Sequence, residues 1–297
     1  MDIKSFGKMM KTEIAQFLGD EYKVEYKEVI KNNSFINHSI LICKEGENIS
    51  PSIYIDEFYE RYNKGIAITK LVGDIIEVYQ KYAPKESLDM SFYREFSNVA
   101  ERLSFKVISK DGNEKLLSDI PYRSVLDLAL VPIYLFQSDD IGNGNIVIKN
   151  DHLKMWEVSQ DELWENVMEG APGNQPVKIR NIFEMFEELG RAELATDELS
   201  EQMLIVTNKD NNYGAASVFY PGVLRELAGK LGGDVFIIPA SVHEVIAVPA
   251  RGGNECSKWL REMVKEVNDT TVSVQDFLSN NVYFYDMKAD KLSVCCE

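Results

Sequence analysis

Histidine is the scarcest chemically versatile residue here: three in 297 residues, at His38, His152 and His243. Their wide scatter argues against a zinc site built on histidine spacing. Cysteine is almost as sparse. Cys43, Cys256, Cys295 and Cys296 form no CxxC pair and no disulfide framework, which points to a reducing, cytoplasmic setting, with Cys295-Cys296 read as thiols of a frayed tail. Long apolar runs are missing too. The longest, RSVLDLALVPIYLFQ, is broken by Asp127, Pro132 and Gln137, so no membrane span is expected. The opening MDIKSFGKMMKTEIAQF carries Asp2 and Glu13 and no uninterrupted apolar core, so it is not read as a signal peptide. Basic residues are outnumbered, 32 against 48 acidic ones, for a formal charge of −16. A polyanion is repelled by another polyanion, which disfavours a general nucleic-acid or anionic-membrane surface and suits a basic protein partner. No period of 20 to 50 residues repeats, and there is no heptad run or low-complexity tract.

What is present is globular: 45% hydrophobic and 27% charged residues. The stretch Tyr213–Arg251 organises the reading. AASVFY, DVFII and EVIAV are β-rich, and between the first two Leu224, Leu227, Ala228 and Leu231 recur at i, i+3, i+4 and i+7. Pro221 suits a first helical turn and Gly232-Gly233 a helix stop. Upstream, the stripe Ile3, Phe6, Met10, Ile14, Phe17, Leu18 predicts a helix over 3–18, and Tyr22–Ile30 with Ser34–Cys43 a hairpin. Ile68, Leu71, Val72, Ile75 and Tyr79 predict a helix ending near Ala83-Pro84. The long apolar run reads as a strand that Pro132 pushes to an edge or a bulge. SQDE at Ser159–Glu162 is a capping box opening a helix. VKIRNIFEMFEELG reads as helix from Ile179, Ile182, Phe183 and Phe186, Cys256–Val267 as an amphipathic helix, and VYFYD as the last strand. The expectation is an α+β fold with a mixed, mainly antiparallel sheet, helices packed on one side, and two sheet-containing lobes, 1–119 and 120–297.

Few residues invite chemistry. His243-Glu244 begins like a zincin motif, but the second histidine would be at 247, which is Ala247. The segment reads as a strand between Pro239 and Pro249, and a strand sends the two side chains to opposite faces. His243 is therefore first a structural histidine and second, with Glu244, a weak catalytic candidate. Asp139-Asp140, Asp56-Glu57 and Glu184, Glu187, Glu188 offer carboxylate pairs that solvated faces explain equally well. Asp139, Asp140, Asn143 and Asn145 lack the twelve-residue calcium loop. IGNGN precedes a strand and matches no phosphate loop; no GxSxG occurs; Cys256 reads as a small buried hydrophobe. No cofactor and no metal are expected. Tyr59, Tyr62, Tyr213 and Tyr220 are candidates for a protein-binding surface, since tyrosine suits an apolar body meeting water.

The segments LDLALVPIYLF, GNGNIVIKNDHLKMWEVSQDELW and YGAASVFYPGVLRELAGKLGGDVFIIPASVHEVIAVP, with YKEVIKNN and PSIYIDEFYERYNKG, resemble an uncharacterised domain-of-unknown-function family of gut Firmicutes. The resemblance spans most of the chain and implies a bacterial cytoplasmic protein; it brings no activity or site residues. The residues thus lead to a non-enzymatic cytoplasmic protein acting through protein contacts. A hydrolase or small-molecule enzyme with a pocket near His243 comes next, then a nucleic-acid-associated protein. Oligomeric state is not legible.

Overall fold

The computed structural model describes residues 1–48, 50–83, 90–138, 142–182, 184, 202–251 and 258–295. Contacts divide the chain into two compact units, Met1–Phe92 with Gln137–Gly144, and Tyr93–Phe136 with Asn145–Glu297. The division at Phe92/Tyr93 lies upstream of the expected 119/120 boundary, which the pairing of Leu103–Ser109 with Leu128–Tyr134 spans. Every strand register described is antiparallel, and helices accompany the sheets, as the α+β expectation holds.

In the first unit, α1 (Ile3–Leu18) starts where Asp2 Oδ1 accepts the Ser5 N–H at 2.7 Å, an aspartate N-cap that satisfies one orphan donor. Its i, i+4 row Phe6, Met10, Ile14 is fully buried, whereas Phe17 falls off that row and is 70% exposed. β1 (Tyr22–Ile30) and β2 (Ile36–Lys44) pair in unbroken register from Tyr22↔Lys44 to Ile30↔Ile36, and β3 (Ser52–Tyr54) adds the third strand. α2 (Asp56–Asn63) and α3 (Ile68–Tyr82) follow, and Leu71, Val72, Ile75, Ile76 and Tyr79 join Phe6, Met10, Ile40 and Ile42 in one core. Gly7 marks the closest crossing of α1 over the sheet: a Cβ there would stand 2.4 Å from the Tyr26 ring and 2.9 Å from Ile55.

The second unit opens with α4 (Phe96–Ala100), β4 (Leu103–Ser109) and the one-turn α5 (Glu114–Leu117). β5 (Arg123–Val125) and β6 (Leu128–Ser138) form a hairpin with β4 on the far side of β6, and β7 (Gly142–Val147) also pairs β6. α6 (Asn150–Trp156) and α7 (Gln160–Asn174) come next; Ser159 Oγ accepts the Glu162 N–H at 3.1 Å, the serine half of the capping box. The fully buried Trp164 on α7 donates its indole N–H to Pro121 O at 2.7 Å. A larger sheet is built from β8 (Val177–Asn181), β9 (Leu204–Asn208), β10 (Val235–Pro239), β11 (Val245–Pro249), β12 (Tyr283–Asp286) and β13 (Lys291–Val294), in the order β13-β12-β10-β11-β9-β8. α8 (Val223–Leu231) precedes β10 and ends on Gly232 at φ +81°, and α9 (Lys258–Thr271) follows β11. Among the described residues no helix is long and apolar enough to cross a membrane.

Six expectations are corrected. AASVFY is a 3-10 helix over Gly214–Phe219: the Ser217 hydroxyl turns inward, its single hydrogen shared between Thr207 O at 2.9 Å and Gly214 O at 2.7 Å, which favours a curled segment over an extended one. Val177–Asn181 is an edge strand on β9, where the ladder from Val177↔Asn208 to Asn181↔Leu204 overrides a helical spacing too short to decide. β6 is central, and its register with β4 runs straight through Phe105↔Pro132 without a bulge. Pro132 is tolerated because β5 pairing ends at Leu130 and Pro132 O takes the Ile148 N–H, so its missing donor faces the junction between two short neighbours. VYFYD is not the last strand: β13 follows, and Cys295 is buried, its N–H on Val282 O, rather than frayed. Finally, His243 and Glu244 lie in the loop joining β10 to β11, not on a pleated strand. The expectations on Asp139-Asp140, Phe183, Phe186, Glu187, Glu188, Cys256 and Cys296 fall outside the described residues.

Candidate functional site

His243 sits at the centre of a knot of short contacts in the second unit. The Ser241 N–H donates to Glu244 O and closes the loop, while Ser241 Oγ accepts the His243 N–H at 3.0 Å. Thr207 Oγ1 on β9 donates to His243 O at 2.8 Å. Gly214 packs so closely here that a Cβ would stand 2.1 Å from Thr207 Oγ1 and 2.7 Å from His243 O; no other residue fits. Tyr213, held at φ 52°, aims its N–H at His243 Nδ1 at 3.2 Å. On the other side of the ring, Asp276 Oδ1 stands 3.2 Å from His243 Nε2, and Ser273 Oγ steadies the same carboxylate through Oδ2 at 2.7 Å.

The tautomer follows from these partners. Nδ1 accepts a backbone N–H and carries no proton, so the proton of the neutral ring is on Nε2 and points to Asp276. An aspartate-oriented histidine is half of a catalytic relay, but the relay needs its second nitrogen open to a nucleophile or substrate. Here that nitrogen is spent on Tyr213. The two side chains are 37% and 42% exposed, so the pair is solvent-screened. Glu244 contributes its carbonyl to the loop. The ring of Tyr213 tilts against His243 at 5.6 Å between centroids and lies under Lys106 Nζ at 4.7 Å.

The four candidate tyrosines are divided between the two units. Tyr59 and Tyr62 belong to the first unit, packed half-buried against Phe6, with Tyr59 OH donating to Met1 O at 2.6 Å. Tyr213 and Tyr220 belong to the second. Tyr220 is only 4% exposed, edge-on to Phe105, and burial pushes its hydroxyl up to about 12. It is a core residue rather than part of an open surface, since the 3-10 helix before it turns it inward. The other histidines serve structure: Tyr26 OH meets His38 Nδ1 at 2.6 Å, and His152 Nδ1 accepts the Lys149 N–H at 3.2 Å as the first turn of α6 forms.

A second constellation, centred on Asp127, has no motif in the sequence. Leu126 and Asp127 form the two-residue turn between β5 and β6, with Leu126 at φ 54°, a left-handed conformation costly for a branched side chain. The Asp127 carboxylate is tied to a segment more than 150 residues away: Ser279 Oγ donates to Oδ2 at 2.7 Å, Asn281 Nδ2 to Oδ2 at 3.0 Å and Tyr283 OH to Oδ1 at 2.9 Å. Asn268 Nδ2 braces this segment through Ser279 O at 3.0 Å and Asn280 Oδ1 at 2.9 Å. Burial, first, then the neighbouring Asp127 charge hold the Tyr283 hydroxyl well above its usual range. Above Asp127 opens a cleft of about 630 Å³ that Ser109, Lys110, Asp111, Phe277 and Asn280 also line. The available signal was a lone acid inside the most apolar run of the chain, a position that demands donors from elsewhere.

Two further clefts are described. One of about 490 Å³ holds Arg225, whose Nη2 donates to Asp290 Oδ2 at 2.8 Å, beside Tyr285, which donates to Asp290 Oδ1. The other, of about 370 Å³ in the first unit, is walled by Arg61 and Asp74, already paired. His243 lines none of these three. Among the described residues no group of three or more His, Cys, Asp or Glu is gathered to hold a metal ion.

Residues 3–287 match a family model described as a family of unknown function, DUF5688. No curated protein and no solved structure matches the chain.

Proposed function

The chain belongs to this family of unknown function, and from its own residues we propose that it is a non-enzymatic protein that acts by binding a basic protein partner. The observation that carries the reading is the closure of His243: both ring nitrogens are engaged by the protein's own Tyr213 N–H and Asp276 carboxylate. The side chain with the best credentials as a general base is thereby a strut between the β10–β11 loop and the segment after α9. The partner's character comes from the charge of −16, which steers and accelerates encounter with a positive surface. A cytoplasmic, bacterial setting of the Firmicutes type is part of the proposal, supported by the sequence resemblance and by cysteines without framework spacing.

The test is affinity capture of the full chain in native host lysate at about 50 and about 300 mM salt, followed by reconstitution with the purified partner. A discrete basic protein, bound at low salt and released at high salt, is expected from screening of a charge-driven interface. A chain that captures nothing under either condition sinks the reading. The competing reading, a hydrolase or small-molecule enzyme using His243, Glu244 and Tyr213, is motivated by the convergence of Asp276, His243 and Tyr213. It requires Tyr213 to release Nδ1, and a turnover abolished by His243→Gln with the fold intact is the result that would establish it.

A further inference from the structure

Asp127 is half-buried, and among the described residues its carboxylate oxygens receive neutral donors only, the hydroxyls of Ser279 and Tyr283 and the amide of Asn281. The contrast is Asp74, similarly sheltered but paired with both Arg61 and Lys70. A carboxylate has about four acceptor sites, so three donors leave one open on Oδ1. The cleft above it adds a second carboxylate, Asp111, which is exposed, and further acceptors in Ser109 and the Asn280 side chain. Phe277 lines it as well. Its single cation, Lys110, places Nζ 3.0 Å from Ser124 Oγ.

This combination selects a ligand class. Two carboxylates against one lysine repel an anion. A divalent metal is poorly served, because no third His, Cys, Asp or Glu joins the two among the described residues. Carboxylates in a cleft that also has an apolar wall are what an organic cation needs: charge-assisted hydrogen bonds at its head and apolar contact along its flank. A cleft of about 630 Å³ has room for an extended alkyl chain behind that head. The chain's net charge of −16 raises the local concentration of any such cation.

We infer that the Asp127 cleft is a binding site for a primary ammonium or guanidinium group. The inference rests on the partner-binding reading and sharpens it: a lysine or arginine side chain of the basic partner is what the cleft takes up, and a free amine is the other source of the same chemistry.

The experiment is an NMR titration of the ¹⁵N-labelled full chain with n-butylammonium, with its neutral analogue 1-butanol, and with a capped Gly-Lys-Gly peptide. Butylammonium, but not butanol, shifts the Asn280 and Asn281 side-chain amides saturably. Asp111→Asn weakens that binding about three- to five-fold, as loss of one exposed charge contact should. Asp127→Asn, checked for its fold by circular dichroism, weakens it about ten-fold or more. Because Asp111 is exposed, its variant keeps the test decisive even where Asp127→Asn does not fold. Butanol shifting the same amides as strongly, no saturable shift by about 20 mM, or Asp111→Asn binding within two-fold of the wild type overturns the proposal. A peptide about ten-fold tighter than butylammonium assigns the site to a partner side chain, and equal affinities assign it to a free amine. Undiminished partner capture by Asp111→Asn with no ammonium binding discards the cleft and leaves the partner reading standing. Ammonium binding without any captured partner does the reverse.

Discussion

His152 shows how little a histidine needs to do chemically to matter. Its Nδ1 accepts the Lys149 N–H and stands 3.2 Å from Tyr93 OH, and its ring is wedged between Tyr93 and Trp156. Burial, and secondarily the Lys149 charge, hold its pKa below the ordinary 6.5. A histidine depressed in the folded state binds its proton more readily when unfolded, so stability falls as pH falls. The contribution is complete above about pH 6.5 and is lost as pH drops from there through the lowered folded value. Urea unfolding at about pH 7.5, 6.5 and 5.5 should show this decline, and His152→Gln should flatten it. A wild-type profile that is level over this range, or rises toward acid, refutes the assignment.

The element on which the second unit turns is the β5–β6 hairpin. Leu126 occupies a conformation that glycine adopts more cheaply, and the bonds that hold it there are those of its neighbour Asp127 to Ser279, Asn281 and Tyr283. Removing the acceptor strands three donors at once, two of them on residues 3% and 1% exposed. Asp127→Ala is therefore expected to cost about 2–4 kcal/mol in chemical denaturation, and Tyr283→Phe about 1 kcal/mol because only one bond is lost. An Asp127→Ala loss below about 0.5 kcal/mol would mean that the network is ornamental. Element type was legible where one face repeats over many residues, as in Phe6, Met10, Ile14 of α1 and Leu71, Val72, Ile75 of α3. It was misread where a segment of five or six residues takes its form from partners elsewhere: Gly214–Phe219 and Val177–Asn181.

For the whole molecule, the imbalance of 48 acidic to 32 basic residues is the dominant physical property. Several carboxylates are locally matched, such as Glu25, which Lys23 and then Lys27 hold down at about 2. The net −16 remains and opposes compaction by self-repulsion. Raising NaCl from about 20 to about 300 mM should lift Tm by about 2–5 °C as screening shortens the range of that repulsion. A lower Tm in salt would mean that favourable ion pairs outweigh the excess charge.

The sequence by itself determined the α+β class, the long amphipathic helices and the β1–β2 hairpin, because these depend on residues a few positions apart whose spacing is the signal. Only the tertiary structure decided that Pro132 lies in a central strand, that His243 is closed by Tyr213 and Asp276, and that Asp127 gathers donors from Ser279 to Tyr283. Each of those depends on which distant backbone arrives alongside, and hydrogen-bond partners 30 to 156 residues away leave no periodicity to read.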